Sequence, residues 1–185
     1  MWFKIGLAIA AATALAACTS FVPGTPVIGP SNIERYTAQS NALFVGNGQL
    51  VLLGDPEKPD DRLALAEVAA ENIAKGAFGA TFQLTPRELA DKASRNRVIV
   101  VVGGAYGWTL CEAPPVRGSN FSGQGIRVTA AACNGNTRLS SVSGSIGGLN
   151  GVDDPALANF FAQIGAALFP GRNLDYQLRD RGWDF

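Results

Sequence analysis

The 185-residue chain contains no histidine, and its single methionine is Met1. Without imidazole there is no Ser-His-Asp or Cys-His nucleophile pair, no His-ligated zinc or haem, and no side chain that ordinarily titrates near neutrality. Loss of Met1 with a leader removes thioether ligands for soft metals as well. An excess of either charge is also missing, because 15 Lys+Arg balance 15 Asp+Glu. Nucleic-acid affinity comes from clustered basic residues that neutralise phosphates, so no nucleic-acid partner is expected. No residue pattern reads as a catalytic set, a metal site or a cofactor site, and the length suits one domain of ordinary size.

What is present begins with an address. Met1 to Lys4 is a short n-region with one positive charge, and Ile5 to Ala14 is an uncharged, mostly apolar run. At about ten residues that run falls short of the roughly 20 needed to cross a bilayer as a helix, and it reads as the core of a signal peptide, residues 1–17. Leu15-Ala16-Ala17-Cys18 follows, small residues before a cysteine, which matches the lipobox of bacterial lipoproteins. Cleavage there makes Cys18 the lipidated first residue, and two or three acyl chains anchor a protein stably without a transmembrane helix. Residues 18–30 hold three Pro and two Gly with no charge and are expected to form a flexible lipidated tether.

Residues 31–171 then carry alternating element signals. Gln49 to Leu53 reads as a core strand. The run before Gly46-Asn47-Gly48 reads as its hairpin partner, an edge or a loop. Asp60 to Gly76 is expected to be a helix, with Leu65, Val68, Ala69 and Ile73 on one stripe, Glu67, Glu71 and Lys75 on another, and Gly76 ending it. Thr81 to Leu84 suggests a short edge strand. Arg97 to Val102, apolar after its first residue, suggests a central strand buried on both faces. Gly125 to Cys133 and Thr137 to Ile146 form a hairpin around Asn134-Gly135-Asn136, in whose second arm Leu139 and Ser141 compete with Ser140 and Val142 for the inward face. Asp154 and Pro155 open a last helix, in which Leu157, Phe160, Phe161, Ile164 and Leu168 follow helical spacing. The expected fold is α+β, a two-layer α/β sandwich with a mixed sheet of four to five strands and both helices on one face. Residues 172–185 form a charged and aromatic tail.

Cys111 and Cys133 remain once Cys18 is assigned to lipid. In an oxidising envelope compartment an even pair reads as a disulfide, with two free thiols or a redox-active pair as the alternatives. The bond would close a long Pro-, Gly- and Ser-rich loop, which makes Arg117, Asn120 and Phe121 candidate contact residues. Tyr106, Trp108 and Trp183 are added as aromatic side chains outside the expected core. Gly103-Gly104-Ala105-Tyr106-Gly107 is not a dinucleotide loop, because Pro114 and Pro115 stand where the following helix is needed. Asp60-Asp61 and Asp153-Asp154 resemble hard-ion ligands, but helix capping accounts for them.

These residues together resemble a group of small bacterial lipoproteins of unassigned activity. The similarity lies in Gly54-Asp55-Pro56 before a helix, Leu110-Cys111, Ala131-Ala132-Cys133 with Gly135, a Ser-x-x-x-Gly strand end, and Leu168-Phe169-Pro170. The resemblance implies a shared fold and disulfide and brings no ligand or catalytic residue. Thr19, where an inner-membrane lipoprotein typically has Asp, implies an outer-membrane location facing the periplasm. The expected function is a non-enzymatic, lipid-anchored envelope protein that binds an envelope partner. The alternatives are a hydrolase or transferase using two of Asp55, Glu57, Glu112, Asp153 and Asp154, and a lipid or small-ligand carrier with a cavity under the Phe160/Phe161 helix.

Overall fold

The computed structural model describes residues 24–37, 40–46, 48–54, 59–77, 82–87, 95–103, 109–112 and 125–171. The chain runs β1 (Val27–Ile28), β2 (Asn32–Ile33), a 3-10 helix (Ser40–Phe44), β3 (Gly48–Leu53), α1 (Pro59–Gly76), β4 (Leu84–Arg87), β5 (Asn96–Val102), β6 (Gly125–Asn134), β7 (Thr137–Gly147) and α2 (Pro155–Leu168). One sheet forms in the order β1-β7-β6-β5-β3-β4, with β2 also on β7. β3 is parallel to β4 and β5, while the other pairs are antiparallel, so the sheet is mixed and the class is α+β.

The sheet has seven strands rather than four to five. The two extra strands arise at its β7 edge, and one of them corrects the expected tether. Val27 and Ile28 pair with Ser145 and Gly144, and Gly24 N–H donates to Gly147 O at 2.8 Å. Prolines flank these two residues without occupying a position whose N–H the ladder needs, so a Pro-rich segment can still complete an edge. The hairpin around Gly46-Asn47-Gly48 does not form. Residues 40–44 instead make a 3-10 turn that leads into β3 and places Phe44 in the core. The short edge strand lies at Leu84–Arg87, three residues beyond the expected start, and tolerates Pro86 because its far side is an open edge.

Alternation across the strands creates two apolar layers. Leu50 and Leu52, Val98 and Val100, Val128 and Ala130, and Val142 and Ile146 face the helices, meeting Leu65, Ala69 and Ile73 of α1 and the five expected positions of α2. All five of those α2 side chains are fully enclosed. The second face carries Val51, Leu53, Ile99, Val101, Ala131 and Cys133 under Leu110 and Cys111. In β7 the competition is settled for Ser140 and Val142. A register shift opposite Ala132 and Cys133 also lets Leu139 turn inward. Ser140 is tolerated there because its hydroxyl donates to Leu168 O at 2.6 Å, satisfying a carbonyl at the end of α2.

The two helices cross at glycines. A Cβ on Gly165 would stand 2.2 Å from Ile73 O, and one on Gly76 would stand 1.9 Å from Ala162 O. Gly76 therefore belongs to the last turn of α1 and serves to let α2 approach, where the sequence suggested only a terminator.

Candidate functional site

The helix-free face of the sheet is where the disulfide-closed loop is fastened. Cys111 and Cys133 are bonded, with Cα atoms 5.7 Å apart and a sequence separation of 22. Both are buried among Val51, Ile99, Val101 and Ala131. Gly103 N–H donates to Arg127 O at 2.7 Å, near the start of β6, and by Cys111 the chain has reached Cys133 near its end. Both ends of the β5–β6 connection, Gly103 and Gly125, thus lie at one end of the sheet, and the disulfide that fastens it lies at the other.

Arg97 holds the staple in place. Its Nη2 donates to Cys111 O at 2.8 Å, and in the sheet it stands between Gln49 of β3 and Cys133 of β6. Arg97 Nε and Gln49 Oε1 are enclosed without a hydrogen-bond partner. The sequence showed Arg97 only as the first residue of an apolar run. Its role depends on register with Cys133, which no local pattern encodes. Toward β7 this face becomes polar. Ser141, Ser143 and Ser145 alternate with the inward Val142, Gly144 and Ile146, and Thr129 Oγ1 lies 3.1 Å from Ser143 Oγ. These hydroxyls can exchange hydrogen bonds with a partner. Ser143 Oγ shares this bond with another hydroxyl, which is not a base that could activate it as a nucleophile.

Among the described candidate carboxylates, Glu112 stands apart from Asp153 and Asp154. Glu112 is exposed beside Cys111 at the staple end of the sheet, whereas Asp153 and Asp154 follow β7 at the other end; Asp55 and Glu57 lie outside the described residues. Asp154 is the N-cap of α2 as expected, accepting from Ala156 N at 2.9 Å and from Asn150 N at 3.0 Å. Those backbone N–H groups hold its carboxyl below the usual range. No group of three or more His, Cys, Asp or Glu that could hold a metal occurs among the described residues.

Phe160 and Phe161 pack without exposure, and the Phe160 ring lies close over Gly144, where a Cβ would come within 2.9 Å of Cε2. A groove of about 950 Å³ lies between α1 and β4. Its floor includes Ala70, Ala74 and Phe82, and its rim includes Glu67, Glu71 and Gln83. Glu71 is occupied by Lys75 at 2.6 Å on the helix surface, as the spacing suggested.

At the far end of α2 an aromatic cluster joins Tyr36, Phe44, Phe82 and Phe169, with Phe169 in edge contact with the other three. The Tyr36 hydroxyl donates to Asn41 Oδ1, and burial pushes its pKa up to about 12. A group whose folded pKa is raised contributes stability below its unfolded value, here about 10, and loses it as pH rises through the folded value. The denaturation midpoint of the wild type is therefore expected to fall between pH 10 and about 12. Tyrosinate absorbance followed over the same range should show one late-ionising component that Tyr36→Phe removes.

Of the residues singled out in the sequence, Cys111 and Cys133 are brought together as expected. Cys18, Tyr106, Trp108, Arg117, Asn120, Phe121 and Trp183 lie outside the described residues. No helix among the described residues is long and apolar enough to cross a membrane.

No protein-family model and no curated protein matches the chain. Among solved structures, the chain is similar to a PelC dodecamer from Paraburkholderia phytofirmans, with 13% identity, 78% of this chain and 98% of that chain covered, and a TM-score of 0.47. A single-substitution variant of PelC from the same organism, also a dodecamer, gives 14% identity, the same coverage and a TM-score of 0.46. A likeness of this degree transfers no function to the present chain.

Proposed function

We propose that the chain is a lipid-anchored envelope protein with a non-enzymatic binding or structural role, attached through acylated Cys18 to the outer membrane and facing the periplasm. The observation that carries the reading is the Cys111–Cys133 bond. Of the three cysteines it takes up two, and the third, Cys18, is the residue that follows Leu15-Ala16-Ala17. A disulfide also suits a compartment in which thiols are oxidised. The contact surface for an envelope partner is assigned to the loop between the two cysteines, with Arg117, Asn120 and Phe121, to Tyr106 and Trp108 just ahead of Cys111, and to Trp183 of the tail.

Replacement of the anchor tests this reading. Cys18→Ala is expected to abolish incorporation of a labelled fatty acid and to release the protein from the pelleted membrane fraction. A variant that keeps both would overturn the assignment. For the partner, a photo-crosslinker at position 120 or 183 is expected to capture the same envelope component, which a crosslinker at Lys75 on α1 does not.

A further inference from the structure

We infer that the domain presents one defined end to the bilayer: the end of the sheet where β7 finishes and β6 begins, with a layer of phospholipid headgroups as its partner. The inference rests on the acylated Cys18 of the preceding reading. It follows from where Gly24 sits. Gly24 is already fastened to Gly147 O at 2.8 Å, and Val27 and Ile28 continue along β7. Five residues, Thr19 to Pro23, separate Gly24 from Cys18. Fully extended, those six steps reach about 20 Å. β7 has 11 residues, which at strand rise makes it about 33 Å long, so the leash is shorter than the sheet it holds.

The consequence is positional. Gly147, Gly125 and the start of α2 stay within reach of the headgroups, because β7 ends, β6 begins and α2 follows at that end. Ala156 in the first turn of α2 lies near Gly24, where a Cβ would stand 3.9 Å from its own. The turn at Gly135 lies at the opposite end of the same two strands. Exposed apolar residues occur at both ends. Val27, 56% exposed, is next to the anchored segment, and Leu63, 63% exposed, lies in the second turn of α1, which starts after the parallel strand β3 ends on the same side. Leu43 and Val45 precede β3 and fall at the far end. Only the first pair is close enough to the anchor to meet lipid. The connection from β5 to β6 leaves and re-enters the sheet at this proximal end, at Gly103 and Gly125, while the disulfide that fastens it is held at the distal one.

Depth-dependent quenching tests the orientation. The full acylated protein, with Cys111 and Cys133 oxidised, carries a fluorophore on Asp153→Cys or on Asn136→Cys. It is bound to phosphatidylethanolamine and phosphatidylglycerol vesicles containing a headgroup nitroxide lipid. Both positions are exposed, one at each end of β7. Fluorescence should be lost at 153 and retained at 136, and a Gly/Ser insertion of about twelve residues between 23 and 24 should remove the difference. Equal or reversed quenching in protein whose mass shows acylated Cys18 overturns the orientation alone. Protein whose mass shows no acyl group at Cys18 overturns both the orientation and the anchor.

Discussion

Gly165→Ala is expected to destabilise the folded domain by about 3 kcal/mol, the upper part of the usual range for overpacking. Helix propensity alone argues the other way, since alanine is favoured over glycine inside a helix by about 1 kcal/mol. The sign reverses because the new methyl would stand 2.2 Å from Ile73 O and 2.9 Å from Ile73 Cα, both backbone atoms of α1. A flexible side chain could swing away, but a helical carbonyl can retreat only if the helices separate. Separation would unseat α2 from the sheet, where Phe160, Phe161 and Ile164 are fully buried. Urea denaturation with the disulfide intact measures the loss. Ala166→Gly, on the partly exposed face of the same helix, should cost only about the propensity difference of 1 kcal/mol. A Gly165→Ala protein that is as stable as the wild type, or more so, would show that the helix crossing is looser than described.

The second large effect belongs to the staple. Replacing both Cys111 and Cys133 with Ala should cost about 3 kcal/mol, the chain-entropy value for a loop of this size. Packing adds to it, because Cys111 and Cys133 are 1% and 0% exposed and complete the second apolar cluster. Removing the bond also frees Cys111 from its place beside Arg97, whose Nη2 then loses a fixed carbonyl acceptor. Burial gives a kinetic corollary. Reductant should not open the bond in native protein and should open it readily once denaturant is added, which thiol alkylation at timed intervals reads directly. Prompt reduction under native conditions would mean that the bond is reached from solvent.

Long periodic segments were legible in the sequence, and short or register-dependent ones were not. The α2 stripe was readable because five apolar side chains repeat at helical spacing over most of its length, and all five are buried. The apolar run ending at Val102 needed no partner to be recognised as a central strand, and it lies between β3 and β6. β1 and β2 are two residues each, too short for any period to appear, and prolines around β1 point away from a strand. Whether Leu139 or Val142 faces inward depended on an irregularity opposite Ala132 and Cys133, a property of the pair of strands. Gly76 looked like a terminator because glycine commonly ends helices. Its close approach to Ala162 involves a second element far along the chain. The same distinction applies to the candidate site. The cysteine pair was legible by counting, while Arg97 acquires its role only when β5 is aligned with β6.

These parts converge on a small domain whose N-terminal edge is knitted into the sheet a few residues after Cys18. Intact mass of the chain extracted from membranes without reductant tests the central claim most directly. The expected protein begins at Cys18, is heavier by its acyl groups and lighter by the hydrogens lost in the Cys111–Cys133 bond, and takes up no maleimide. A chain that retains residues 1–17, or one that begins at Cys18 without acyl groups, would contradict it.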